Sequence, residues 1–162
     1  MKKTFTIILT SLMLIMSACK SSTEIKTNVS TATLIKEVTD SEVNLFSLLK
    51  SGKINEAFAM HSADSTYKNI VDGISRTHAQ MDSVLKSNTS KNVKAYDYNV
   101  STRNFLIVDS TNVLETVEAN RKLISKTDSE IENRPVVLSI LWTKNNSKWI
   151  VSYLHSSYRK EK

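Results

Sequence analysis

Apolar positions recur with a helical period across 33–50. Leu34, Ile35, Val38, Leu45, Phe46, Leu48 and Leu49 fall on one broad arc at about 100° per residue. Gly52 follows Lys50 and Ser51, which predicts a helix stop behind a basic last turn. Residues 54–60 read as a short second helix ending near His61, 64–67 as a short strand or extended turn, and Asp72-Gly73 as a tight turn. A third helix is expected over about 74–87, because Ile74, His78, Met81 and Leu85 repeat at helical spacing and share a face.

Beyond residue 90 the chain turns rich in Val, Ile, Tyr and Thr, and the period falls to two. Strands are expected near 93–102, 105–108 with 113–124, 136–143 and 149–156, with a polar loop over 126–134. A turn centred on Asn145-Asn146 would set Trp142 opposite Trp149, Ile140 opposite Val151, Leu138 opposite Tyr153 and Val136 opposite His155. All eight would then share one face. In 113–124, Glu115 and Arg121 share a face with Val113, Val117, Ala119 and Leu123, so two charges point the same way as apolar side chains.

Helices first and long strands afterwards predict an α+β fold with helices packed on one sheet face. Composition then removes whole classes of chemistry. Only Gly52 and Gly73 are present, with a single proline at Pro135, so no glycine-rich phosphate loop can be built. One cysteine and three histidines (His61, His78, His155) exclude cysteine-rich zinc sites, and no HExxH or GxSxG motif occurs. Neither a metal nor a cofactor is expected. The formal charge of +6 is spread along the chain among acids, so nucleic acid is not an expected partner.

The first nineteen residues concern address. Lys2 and Lys3 precede a mostly apolar run over 5–16, and Met16-Ser17-Ala18-Cys19 closes it with small residues before the chain's only cysteine. That tetrapeptide resembles a bacterial lipobox, in which the cysteine is lipidated and becomes the first mature residue. The expectation is a signal peptide over 1–18, a lipidated Cys19 with a polar tether to residue 32, a domain over 33–158 and a polar tail over 159–162. Several acyl chains on Cys19 would hold the protein on a membrane. Lys20 is not an acidic retention signal, so the outer membrane facing the periplasm is the expected address.

The first helix ending in Lys50-Ser51-Gly52, the 61–67 segment His-Ser-Ala-Asp-Ser-Thr-Tyr, Asp72-Gly73, and the final Trp149-Ile150-Val151-Ser152-Tyr153-Leu154-His155 together resemble the nuclear transport factor 2-like superfamily, of cystatin-like α+β fold, and its SnoaL-like members in particular. The resemblance covers about 34–157. It implies a cone in which a curved antiparallel sheet wraps a long N-terminal helix and leaves a pocket at the open end. It also implies three roles: a binding or accessory domain for a small apolar or acidic ligand, a cofactor-free isomerase, dehydratase or cyclase, or a module that forms a homodimer through its sheet.

The candidate catalytic residue is His155, whose ordinary pKa suits proton transfer near neutrality. The candidate ligand-binding residues are Tyr67, His78, Glu115, Arg121, Trp142, Tyr153 and His155. Each has a plainer reading. His78 fits a satisfied core histidine, Trp142 and Tyr153 fit a core stripe, and Glu115 and Arg121 fit the sheet's solvated end.

Overall fold

The computed structural model describes residues 29–89 and 92–158. Helix α1 (Thr31–Lys50) opens on Ser30, whose hydroxyl accepts from the Thr33 amide at 3.1 Å. It closes in a Schellman turn. The Lys53 amide reaches back to the Leu48 carbonyl at 2.8 Å, the Gly52 amide reaches Leu49 at 3.2 Å, and Gly52 sits at φ +78°. A short helix α2 (Ile54–Phe58) follows, and the chain then runs beside Val151, with Ser62 and Met60 exchanging backbone bonds with it.

Strands β1 (Lys68–Val71) and β2 (Ile74–Arg76) form a hairpin about Asp72 and Gly73, both at positive φ. Helix α3 (His78–Val84) is fixed by a reciprocal capping box between Thr77 and Gln80 and runs into one π-helical stretch, Leu85–Thr89. The third helix therefore starts four residues later than its periodicity suggests. Ile74 belongs to β2 and is 57% exposed, because the Asp72-Gly73 turn pairs it with Val71 before a helix can begin.

Four long strands complete the chain: β3 (Val93–Ile107), β4 (Asn112–Ser125), β5 (Glu130–Asn145) and β6 (Lys148–Tyr158). The six-stranded sheet has the order β2-β1-β6-β5-β4-β3. It is mixed, because β1 lies parallel to β6 while every other pair is antiparallel. The sheet is open and curls around α1.

The expected break near 103–104 is absent; β3 is continuous, with a bulge at Ser101. The expected 126–134 loop shrinks to its first four residues. Glu130, Glu132, Asn133 and Arg134 pair with β4 despite their polarity, because partners across the ladder compensate them. Lys122 meets Glu130 at 3.5 Å, and the Asn120 amide donates to the Asn133 carbonyl at 2.7 Å.

The last hairpin turns on Asn146 and Ser147, one residue later than expected, with Asn145 opposite Lys148. Trp142 therefore faces Val151, not Trp149, although both indoles stay on the inner face. Ser152 then bulges, which reverses the alternation beyond it. Leu154, Ser156 and Tyr158 point inward, and Tyr153 and His155 lie on the outer face.

The inner face of β4, β5 and β6 supplies Val113, Val117, Leu138, Ile140, Trp142, Trp149 and Val151. These residues bury the α1 stripe of Leu34, Val38 and Leu45. Polar clips hold the helix as well. Glu37 accepts from Trp149 Nε1 at 2.9 Å and Lys144 Nζ at 2.7 Å, and buried Glu42 accepts from Arg103 at 2.9 and 3.1 Å.

Candidate functional site

A cavity of about 290 Å³ lies between α2, α3, the β1–β2 hairpin and the inner faces of β3, β4 and β6. Its apolar wall comes from Leu49, Ile54, Ala57 and Phe58 on one side and from Met81, Val84 and Leu85 on the other. The polar groups come from His61, Tyr67, Asn69, Arg76, Tyr96, Tyr98, Arg121, Ser156 and Tyr158. Among the described residues no aspartate or glutamate lines it.

Tyr67 is fully buried and its hydroxyl has no hydrogen-bond partner. Burial pushes its pKa up to about 12, and the Asn69 amide lies close enough to oppose part of that shift without meeting hydrogen-bond geometry. The Asn69 side-chain oxygen, 4% exposed as a residue, is also without a partner. Two buried polar atoms without partners are costly to keep there unless something else satisfies them.

His61 keeps some open surface yet sits deep in the fold, and burial pulls its pKa down to about 4, so the imidazole is neutral near pH 7. Its Nδ1 lies 3.2 Å from the Ala57 carbonyl oxygen, which can only accept; Nδ1 therefore carries the hydrogen, and Nε2 is left as the ring's acceptor. His78 lies behind this wall, stacked on Phe58 at 4.4 Å with the Tyr67 ring edge-on at 5.7 Å. Its role is to buttress Phe58 and Tyr67.

Arg121 reaches the cavity but is already engaged. One guanidinium nitrogen donates to the Tyr158 hydroxyl, another pairs with Glu132, and Nε alone has no partner. The guanidinium carbons of Arg121 and Arg134 stand 4.3 and 3.9 Å from the Tyr158 ring centroid. Tyr98, stacked on Phe46 at 4.7 Å, completes that wall, and burial holds its pKa well above the ordinary tyrosine value.

Of the expected site residues, Tyr67 and Arg121 meet at the cavity and His78 supports it from behind. Glu115 and Trp142 form a separate buried cluster under α1, bonded to each other. His155 and Tyr153 are not at the cavity. The Ser152 bulge sets His155 opposite Ser139 on the outer face, with Nε2 3.4 Å from the Ser157 hydroxyl. His61, Asn69 and Arg76 did not stand out from the sequence. His61 carried a weak signal, being the one histidine at a junction between two elements. Asn69 and Arg76 lie in strands too short to show a period.

No protein-family model matches the sequence, and no curated protein does. Solved structures do. An NTF2-like superfamily protein from Salmonella enterica serovar Typhimurium superposes with a TM-score of 0.68 over 82% of this chain and 95% of its own, at 12% identity. An NTF-2 like protein of unknown function from Shewanella oneidensis gives 0.58 over 76% and 98%, at 10% identity. Hexachlorocyclohexane dehydrochlorinase LinA-type3 from Novosphingobium barchaimii gives 0.61 over 78% and 86%, at 9% identity. The chain has the nuclear transport factor 2-like fold.

Proposed function

We propose that this is a small-molecule-binding domain, carried on the cell envelope by a lipid on Cys19, whose ligand fills the cavity around Tyr67. The observation that carries the reading is the pair of buried, unpartnered polar atoms, Tyr67 Oη and Asn69 Oδ1, on two residues that line the cavity. A ligand with an accepting group on an apolar body satisfies the Tyr67 hydroxyl and removes part of that desolvation cost. Among the described residues no helix is long and apolar enough to cross a membrane, so membrane attachment in this reading rests on the lipid.

The test is thermal stability of the mature protein against a panel of small aromatic and alicyclic compounds, with Tyr67→Phe as the comparison. A bound ligand raises the melting temperature by mass action. The expected result is stabilisation that weakens about tenfold in apparent affinity in Tyr67→Phe, the size of one good hydrogen bond. Equal stabilisation in both proteins would take Tyr67 out of the site.

Proton-transfer chemistry is the second reading, and His61 is the observation that favours it. A neutral imidazole with Nδ1 tied to a carbonyl keeps a basic Nε2. Its pKa of about 4 makes it a weak base, which is why binding comes first. Turnover that disappears in His61→Gln while ligand stabilisation persists would reverse that order.

A further inference from the structure

The cavity's charges are one-sided. Among the described residues its two ionised lining side chains are Arg76 and Arg121, and no carboxylate belongs to the lining. Arg121 is balanced by Glu132 behind the wall. Arg76 is different. It is half-buried, and among the described residues it has neither an ion pair nor a hydrogen bond. Its half-burial lets the stem lie on the cavity wall while the guanidinium stays available to a ligand.

The sheet register sets the face from which it projects. Arg76 stands directly across from Asn69, and Asn69 across from Leu154, so the three form one cross-strand row on the cavity face. Immediately after Arg76, Thr77 caps α3 through its capping box, which fixes the backbone on that side. The row therefore puts Arg76, a planar cation without a partner among the described residues, on the same cavity lining as Asn69 and Tyr67.

We infer that the cavity is a receptor for a small apolar monoanion, a carboxylate or sulfonate on an aromatic or alicyclic body, with Arg76 as its anion-binding group. The inference rests on the small-molecule reading above and names the ligand class for that same site. A guanidinium fork matches an oxyanion in two parallel hydrogen bonds, and the Tyr67 hydroxyl can donate to the same anion. Among the described residues Arg76 has no ion-pair partner to be displaced; Asn69 Oδ1, an acceptor, takes no part in holding the anion. Phe58, Met81 and Val84 would hold the apolar body. The volume sits at the low end for ligand sites, so the body is at most three rings in size.

Two fluorescent probes with the same ring system separate the claims: anilinonaphthalene sulfonate, which is anionic, and N-phenylnaphthylamine, which is neutral. Titration of the mature protein should show the sulfonate binding about tenfold more tightly than the amine, the contribution of a charge-assisted hydrogen bond. Arg76→Gln should erase that preference and leave the amine unchanged, and Arg76→Lys should restore part of it. Met81→Trp, which fills the cavity, should weaken both probes.

Equal binding of the two probes, or a preference that survives in Arg76→Gln, overturns the anion assignment and leaves the apolar cavity standing. Binding of neither probe by folded protein, checked by circular dichroism, overturns the small-molecule reading and this inference with it. Undiminished binding of both probes to Met81→Trp places them elsewhere on the protein and likewise removes the assignment.

Discussion

The indole of Trp142 donates to Glu115 Oε2 at 2.7 Å in the core, with both residues inaccessible to solvent. The other carboxyl oxygen of Glu115 has no partner, and the same is true of one oxygen of Glu42, whose second oxygen takes both bonds from Arg103. Two buried carboxyls thus share one nearby guanidinium. Burial raises the Glu115 pKa to about 7, with the Trp142 bond pulling down and the Glu42 charge pushing up. Glu42 is shifted upward too, again chiefly by burial.

The sign of the pH effect follows from these directions. A carboxyl whose pKa rises from 4.5 to about 7 on folding contributes stability that is complete below pH 4.5 and is lost as pH climbs through 7. His61, lowered from 6.5 to about 4, does the opposite, its contribution being complete above pH 6.5 and lost toward pH 4. Between pH 4.5 and 6.5 the two slopes oppose each other, and above 6.5 only the carboxyl slope remains. Stability should therefore fall from pH 6.5 to pH 8. Glu115→Gln should gain on wild type over that range and the pH units below it, by at most about 3 kcal/mol between pH 5 and 8. Urea unfolding at a series of pH values measures this, and parallel pH profiles for the two proteins would show that Glu115 does not titrate in this range.

Arg103 is the cation that makes Glu42 tolerable, and it is only a third exposed on its side chain. Removing one member of a buried pair leaves the other charge uncompensated, which costs more than the intact pair contributes. Arg103→Met should lower stability by about 2–3 kcal/mol at pH 8, and by less at pH 5, where Glu42 can take a proton. The double variant with Glu42→Gln should recover most of the loss. A loss of the same size in both backgrounds would mean that the arginine stem, not its charge, is what matters.

Much of this arrangement was legible in the pattern of apolar residues, and the exceptions have identifiable causes. The α1 stripe of Leu34, Val38 and Leu45 has Glu42 in its middle, at helical spacing from Val38 and Leu45, so a buried carboxyl could have been read there. Strand alternation in β4 did put Glu115 and Arg121 on one face with Val113, Val117 and Ala119, but not at the sheet's solvated end: that face is the buried inner one. His155 did not follow, because a bulge at Ser152 carries no residue signature and reverses everything after it. Polar 130–134 reads as loop because local composition cannot show that Lys122, Asn120 and Arg121 wait across the ladder. Arg76 and Asn69 belong to the site through pairing of distant strands, which no local window contains.

Gly52 and Gly73 allow a clean comparison of strain with crowding. Both have positive φ, +78° and +81°. A Cβ on Gly52 would fall 2.8 Å from the Lys94 carbonyl oxygen, a backbone atom that cannot swing away, whereas one on Gly73 would meet nothing within 4 Å. Gly73→Ala should cost about 1 kcal/mol from backbone conformation alone. Gly52→Ala should cost at least twice that, because the Schellman turn or the start of β3 must shift as well. Equal losses on chemical denaturation would show that the α1 end and β3 separate easily.

Cys19 lies outside the described residues, and its role is argued from sequence alone. It is the chain's only cysteine and follows Met16-Ser17-Ala18 after a short apolar run behind Lys2 and Lys3. An incidental cysteine would have no reason to fall at that junction, whereas lipid transfer to a thiol requires one there. Two or more acyl chains hold a protein on a bilayer far more firmly than one. Metabolic labelling with an alkynyl fatty acid should therefore mark the wild-type protein in the membrane fraction. Cys19→Ser should abolish the label and yield either unprocessed precursor or soluble mature protein. A processed Cys19→Ser protein that stays with the membrane would show that another part of the chain holds it there.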